Sequence, residues 1–200
     1  MAKYYTSDTH YNHQRIQEFE PSRLLLGPDI PSMNEALIRI YNEVVRPDDE
    51  VYFIGDVAMG NRDLAPAIVR RLMGHKHLIL GNHDYKKPGK IYPQLLEPGL
   101  FESVQDSLVI QDGDKTLFLC HIPQFEGWHA HYHLAGHVHS SWDRAAIVQT
   151  PAQGAGHFRA DPTGVVVNVG VDATPGFCPM TLEQLLARPH VVGRPHRENG

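Results

Sequence analysis

Asp8, His10, Asp56, Asn82, His121, His137 and His139 are the residues whose types and spacing point most directly to chemistry. They offer carboxylate, amide and imidazole atoms and no thiolate, a donor set that suits first-row divalent ions such as Mn²⁺, Fe²⁺, Co²⁺, Ni²⁺ or Zn²⁺. Seven side chains are too many for one catalytic ion that must keep a coordination position open. Divided between two ions, with one carboxylate bridging, they supply about four ligands each and leave room for water and substrate oxygens. Such a pair generates a hydroxide between the ions and clamps a phosphoryl group for in-line displacement. Two divalent ions, less the charges of Asp8, Asp56 and one hydroxide, leave a centre of about +1 that welcomes an anionic ester. Next to Asn82, the neighbours His83 and Asp84 form the pairing expected of an oriented acid or base.

These residues follow strands. Lys3 to Ser7 reads as a first strand ending at Asp8, and the apolar run Val51 to Ile54 closes on Gly55-Asp56. His77 to Leu80 runs into Gly81-Asn82-His83-Asp84, and Tyr132 to Ala135 into Gly136-His137-Val138-His139. Val104 to Gln111 and Thr116 to Cys120 read as a hairpin around Asp112-Gly113-Asp114 that leads to His121. Ala145 to Gln149 and Val165 to Val169 read as two more strands. Ser32-Met33-Asn34-Glu35 matches a capping box before Ala36, Leu37, Ile40, Tyr41 and Val44 at helical spacing. Leu64, Ala67, Ile68, Val69 and Leu72 predict a second helix stopped near Gly74, and Thr181 to Gln184 repeats the capping-box pattern before a last short helix. Residues 86–99 read as loop with one or two helical turns. A strand end followed by a ligand-type side chain thus recurs at Asp8/His10, Asp56, Asn82/His83, His121 and His137/His139, which predicts a polar site on one edge of a layered α/β fold.

The remaining composition narrows the class. A chain of 200 residues with 42% apolar and 20% charged residues suits one globular domain, placed at 1–189, with 190–200 as a flexible tail. No apolar run is long enough for a membrane span, and the opening Met1 to Tyr5 has no leader pattern. Two cysteines, Cys120 and Cys178, exclude a disulfide framework, so a cytoplasmic setting is expected. The net charge of −5 argues against a broad nucleic-acid surface. The composition also carries 14 histidines, which is no core composition, because each buried ring needs polar partners.

The motifs Asp8-Thr9-His10, Gly55-Asp56, Gly81-Asn82-His83-Asp84, His121 and Gly136-His137-Val138-His139 stand in the order of the five signatures of the calcineurin-like metallophosphoesterase superfamily, which this chain resembles over residues 4–188. Ser7 to His13 and Asn168-Val169-Gly170-Val171 are similar to its small single-domain bacterial and phage members. The resemblance implies a four-layer α-β-β-α fold, a β-sandwich flanked by helices. It also implies a dinuclear centre, with manganese favoured among the candidate ions. Asp8, His10 and His139 would hold the first metal, Asp56 would bridge, and Asn82, His121 and His137 would complete the second. A metal-bridging hydroxide would attack the phosphoester. His83 would lie outside the coordination shell, on phosphate oxygen or the leaving group, and Asp84 would orient its imidazole. Cys120 stands where these proteins carry a small residue before the lone histidine, and packing is its expected role. Protein Ser/Thr phosphatase forms of the second and third motifs are absent, which disfavours a phosphoprotein substrate.

Outside the constellation, His13 reads either as facing the mouth of the site and contacting substrate or as a solvated or structural residue. His129, His131 and His133 alternate, as a surface face or a substrate rim. Arg23 and Lys86-Lys87 read as solvated or as contacts to a distal phosphate, and Trp128 and Tyr132 as core or as stacking partners. The expected partner is a small phosphorylated, nucleotide-like substrate, with homo-oligomerisation open. Hydrolysis leaning to phosphodiesters leads; a phosphomonoesterase or pyrophosphatase on the same centre, or a catalytically silent metal-binding scaffold, are the alternatives. The phosphate loop, zincin and nucleophile-elbow motifs are absent.

Overall fold

Alternate residues of the strand Glu50–Ile54 face two different cores, and that alternation sets the layers. The computed structural model describes residues 1–124, 129–142, 144–146 and 165–188. Strands β1 (Lys3–Thr6), β2 (Glu50–Ile54), β3 (His75–Ile79) and β6 (Ser103–Gln105) form a parallel sheet in the order β1-β2-β3-β6. Between β3 and β6, β4 (Tyr85–Lys87) and β5 (Lys90–Ile91) make a small hairpin. The second sheet contains β7 (Ser107–Asp112), β8 (Lys115–Cys120), β9 (Tyr132–Ala135), β10 (Arg144–Ala146) and β11 (Val165–Asn168), in the order β10-β11-β9-β8-β7. Its three central strands are parallel, and β7 and β10 are antiparallel edges.

On β2, Val51 and Phe53 face outward into a core with Met33, Leu37, Ile38 and Tyr41 of helix α2 (Ile30–Val44) and Ile68 and Val69 of α3 (Ala65–Val69). Tyr52 and Ile54 face inward, against Leu117, Leu119, Leu134 and Val167 of the second sheet. Leu182 and Leu185 of α4 (Leu182–Ala187) join that inter-sheet core. A smaller cluster of Ala135, Val166 and Trp142 forms beyond it. The sandwich flanked by helices agrees with the expected α/β class. Among the described residues, helices α2 and α3 cover the outer face of the first sheet, and no helix enters the Ala135–Val166–Trp142 cluster. No described helix is long and apolar enough to cross a membrane.

Several boundaries differ from the sequence reading for identifiable reasons. Helix α2 starts at Ile30, ahead of the expected capping box. Asp29 is its N-cap and accepts the Ser32 N–H at 2.8 Å; Pro31 fits the first turn, where its missing N–H has no partner to lose. Glu35 instead grips Arg71. The expected strand 104–111 is two strands broken at Asp106: β6 pairs with β3, whereas β7 pairs with β8. Alternation alone cannot show that a chain changes sheets. Residues 86–99 hold the β4–β5 turn and a 3₁₀ turn, Pro93–Leu96. The α3 segment is shorter than its apolar spacing suggested and is preceded by a 3₁₀ turn, Arg62–Leu64. The capping box of α4 is as expected, with Thr181 and Gln184 exchanging both bonds. Most of the expected strand 145–149 and the tail lie outside the described residues.

Candidate metal centre

Asp8, Asp56, Asn82, His121, His137 and His139 all lie just past the C-terminal ends of β1, β2, β3, β8 and β9, the edge at which layered parallel sheets place their sites. The loops are stitched together by backbone bonds. Asp8 N–H donates to Gly55 O at 3.1 Å, His10 N–H to Asp56 O at 3.0 Å, and Gly136 N–H to His121 O at 2.9 Å. Ser7 bridges to Gly170 and so ties the first sheet to the second at this edge. Six non-glycine residues here, Asp8, His10, Asn12, Asp56, His137 and His139, hold φ between 47° and 72°. Side chains rarely adopt that region, and such strain persists only where surrounding contacts enforce it. Glycine is required where the loops touch: a Cβ on Gly81 would stand 2.2 Å from Asp56 Oδ1, and one on Gly136 would stand 1.8 Å from Ser7 Oγ.

Two clusters of the expected ligands share this edge, beside a third group of Glu20, His139 and Asp172. Asp8, His10 and His139 have ligand atoms within 4.8 Å of one another, as do Asp8, Asp56 and His121. Asp56 Oδ2 lies between them, 3.5 Å from His10 Nε2 and 3.4 Å from His121 Nε2. Asn82 Oδ1 is 3.0 Å from both His121 Nε2 and His137 Nδ1. All seven expected ligands are therefore together.

The residues fit a cation. His10 is 2% exposed, and neither of its ring nitrogens makes a hydrogen bond. A buried imidazole left so would cost roughly 1–3 kcal/mol; a coordinated ion removes that cost. His121 Nδ1 bonds the Ile54 carbonyl at 2.7 Å, which turns Nε2 toward the carboxylates. Burial pushes Asp8 up, against the pull of His121 and His139. Burial also pushes Asp56 up, but the bond and charge of His121, with the charge of His10, hold it well below the carboxylate range. Burial lowers His121, yet the bond to Asp56 and the charges of Asp8 and Asp56 carry it to about 9. His10 is pushed well below its ordinary value by burial, so it presents a neutral, ligating ring.

His83 and His13 flank the centre. Their rings stand 5.6 and 5.5 Å from that of His10. The His83 backbone is clamped, its N–H donating to Asp56 Oδ1 at 2.9 Å and its carbonyl accepting from Arg62 Nη2 at 2.7 Å. Asp84 does not orient the His83 imidazole. Its buried carboxylate accepts the N–H groups of Gly81, Asp56 and Val57 at 2.8, 2.9 and 3.2 Å, and so anchors the second motif to the third. Burial and the charge of Asp56 push it up to about 6, against those three bonds.

Asp172 was missed. Its carboxylate takes Arg23 Nε at 2.7 Å and Nη2 at 2.8 Å, and lies 2.8 Å from His139 Nδ1. It follows β11 as the other site residues follow their strands, which was the available signal. Arg23 is neither solvated nor a distal phosphate contact: it is fully buried and also donates to Thr9 O and Asp8 O. Its nearest carboxylate is 149 positions away, beyond any local pattern. Lys86 and Lys87 are exposed.

His133 is buried and stacks on Phe118; its Nδ1 faces the Phe118 carbonyl and its Nε2 accepts the Gln124 N–H. His131 Nδ1 accepts the Thr116 N–H, and His129 is exposed. Tyr132 packs against the inter-sheet core. Cys120 is half-buried, and burial pushes its thiol up. Trp128 and residues 150–163 lie outside the described residues.

The chain is 32% identical to the uncharacterized protein MJ1445 of Methanocaldococcus jannaschii over 139 residues, which are 68% of this chain and 70% of that protein. It is 26% identical to the gene 66 protein of Mycobacterium phage D29, over 88% of this chain and 91% of the phage protein. A solved structure of a protein of unknown function, AQ665 from Aquifex aeolicus, aligns with a TM-score of 0.65 at 21% identity, covering 92% of this chain and 97% of its own, and so shares the fold. No protein-family model matches the chain.

Proposed function

The chain belongs to one family with its archaeal relative, and we propose that it is a calcineurin-like metallophosphoesterase, a metal-dependent enzyme that hydrolyses small phosphodiester or nucleotide-like substrates in the cytoplasm. One observation carries the reading: a single carboxylate oxygen of Asp56 stands within 3.5 Å of ligand nitrogens on both sides, His10 Nε2 and His121 Nε2. Asp8, His10, Asp56 and His139 would hold one divalent cation, and Asp56, Asn82, His121 and His137 a second; the donor set suits Mn²⁺, Fe²⁺, Co²⁺, Ni²⁺ or Zn²⁺, and manganese is the ion we propose first. Bound there, the cations supply an activated hydroxide and neutralise charge on the phosphoryl oxygens.

The residues do the rest. His83, clamped through its backbone to Asp56 and Arg62, presents a half-buried imidazole beside His10 and donates a proton to the departing oxygen. His13, on another side of His10, contacts a substrate oxygen at the mouth. Asp84 keeps the loops carrying Asp56 and Asn82 in register, so its loss acts on alignment.

A rate panel with Mn²⁺-loaded protein tests the proposal, using bis-aryl, mono-aryl and cyclic-nucleotide phosphoesters and pyrophosphate. Fastest turnover of a diester is expected. Preference for a monoester or pyrophosphate replaces the substrate class, and no turnover of any of them with both cations bound identifies a silent scaffold.

A further inference from the structure

The two ligand sets differ in what holds them when no cation does. His139 presents Nδ1 to Asp172 at 2.8 Å, which leaves Nε2 as the ring atom open to a cation. Asp172 is fixed in turn by a bidentate bond from Arg23, both side chains being 0% exposed. Through its other two donors Arg23 binds Thr9 O at 2.8 Å and Asp8 O at 2.5 Å, the backbone that carries Asp8 and His10. One guanidinium therefore joins the loop after β1 to the carboxylate behind His139, and Asn168 Nδ2 secures the His139 carbonyl at 2.7 Å. In the other set His121 is also held from behind, by the Ile54 carbonyl at 2.7 Å, but there ligand atoms bond each other as well: Asn82 Oδ1 lies 3.0 Å from both His121 Nε2 and His137 Nδ1. A cation entering there must part those contacts, whereas one entering beside His10 meets nitrogens with no hydrogen-bond partner.

We propose that Asp172, held by Arg23, is a positioning residue that fixes the Asp8–His10–His139 half of the centre in advance. The cations then load in order, the one at this half first and the one at Asn82, His121 and His137 second. This rests on the two-cation reading but not on hydrolysis, and each fails separately. An outer carboxylate on a ligating histidine sets its tautomer and raises its basicity, and removing such a partner weakens metal affinity by roughly 10–100-fold.

Calorimetric titration of the metal-stripped full chain with Mn²⁺ tests the order. Wild type should bind in two steps, and Asp172→Asn should weaken the tighter step by roughly 10–100-fold while leaving the weaker one unchanged. Equal weakening of both steps, or an isotherm identical to wild type, overturns the proposal; absence of any Mn²⁺ binding overturns it together with the two-cation reading. A second measurement needs no variant. Nitrogen-15 NMR of the metal-free wild type, read where the ring is neutral, should show the His139 proton on Nδ1, and a neutral ring protonated on Nε2 instead overturns the proposal even if Asp172→Asn fails to fold. Two-step binding without turnover of any phosphoester removes the hydrolytic reading and leaves the ordered loading standing.

Discussion

The half-centre of Asp8, His10 and His139 and the half-centre of Asn82, His121 and His137 face the same Asp56 and each has one histidine held from behind, but they differ in what their remaining ligands contact. The first is braced from behind: the Arg23 and Asp172 side chains are wholly buried and hold its loops from outside the ligand set. In the second, Asn82 is exposed and His137 half-buried, and the amide oxygen serves both imidazoles. A rigid half suits a cation kept through many turnovers, and a yielding half suits the place where substrate and solvent compete for positions. Paired sites with chemically similar ligands need not have similar affinities, because the supporting residues decide how much rearrangement binding requires.

The largest expected effect removes what both halves share. Asp56→Asn should lower kcat by roughly 10³-fold or more and weaken both Mn²⁺ steps, since one of its oxygens stands within 3.5 Å of ligand nitrogens in both halves; retention of either step at wild-type strength would show that the halves do not share it. His83→Ala should lower kcat by roughly 10²–10⁴-fold with the Mn²⁺ isotherm intact, and full activity would remove His83 from the mechanism.

A third test uses pH and a residue outside both halves. Burial lowers His133 to about 4, against its bonds to the Phe118 and Ile122 backbone, which raise it. Its folded value lies below the unfolded one of about 6.5, so the stability it contributes is present above pH 6.5 and is lost as pH falls toward 4. The loss is on the order of 3 kcal/mol. Thermal unfolding of metal-free His133→Asn should show a shallower acid slope than wild type, and an unchanged slope would contradict the assignment.

Two ligand variants sharpen the comparison directly. His10→Ala should abolish the tighter Mn²⁺ step and His137→Ala should weaken only the looser one, each by at least roughly 10-fold; an exchange of the two outcomes would reverse the order of loading. The smallest effect is a control. Asp29→Ala, which removes the cap of α2, should destabilise the fold by about 1 kcal/mol and move neither step.

Much of this centre was legible in the amino-acid order, because a short apolar run followed by a ligand-type residue is a local pattern. Each of the five strand ends that carried it reached the same edge of the sandwich. Asp84 was misread for the opposite reason: adjacency to His83 suggested a side-chain pair, but its carboxylate turns to backbone donors on Asp56 and Val57, 28 and 27 positions away. The break at Asp106 was hidden too, since both strands there alternate in the same way and only pairing assigns them to different sheets.

By itself the sequence determined which atoms could ligate, in what order along the chain, and so the class of chemistry, because side-chain identity sets donor type and strand periodicity sets where loops begin. Only the tertiary structure decided that Arg23 is buried, that it meets Asp172 across 149 positions, and that the two halves are held so differently. A bond between residues that far apart has no local signature; it exists only once both sheets have packed and expelled the water that would otherwise solvate the pair.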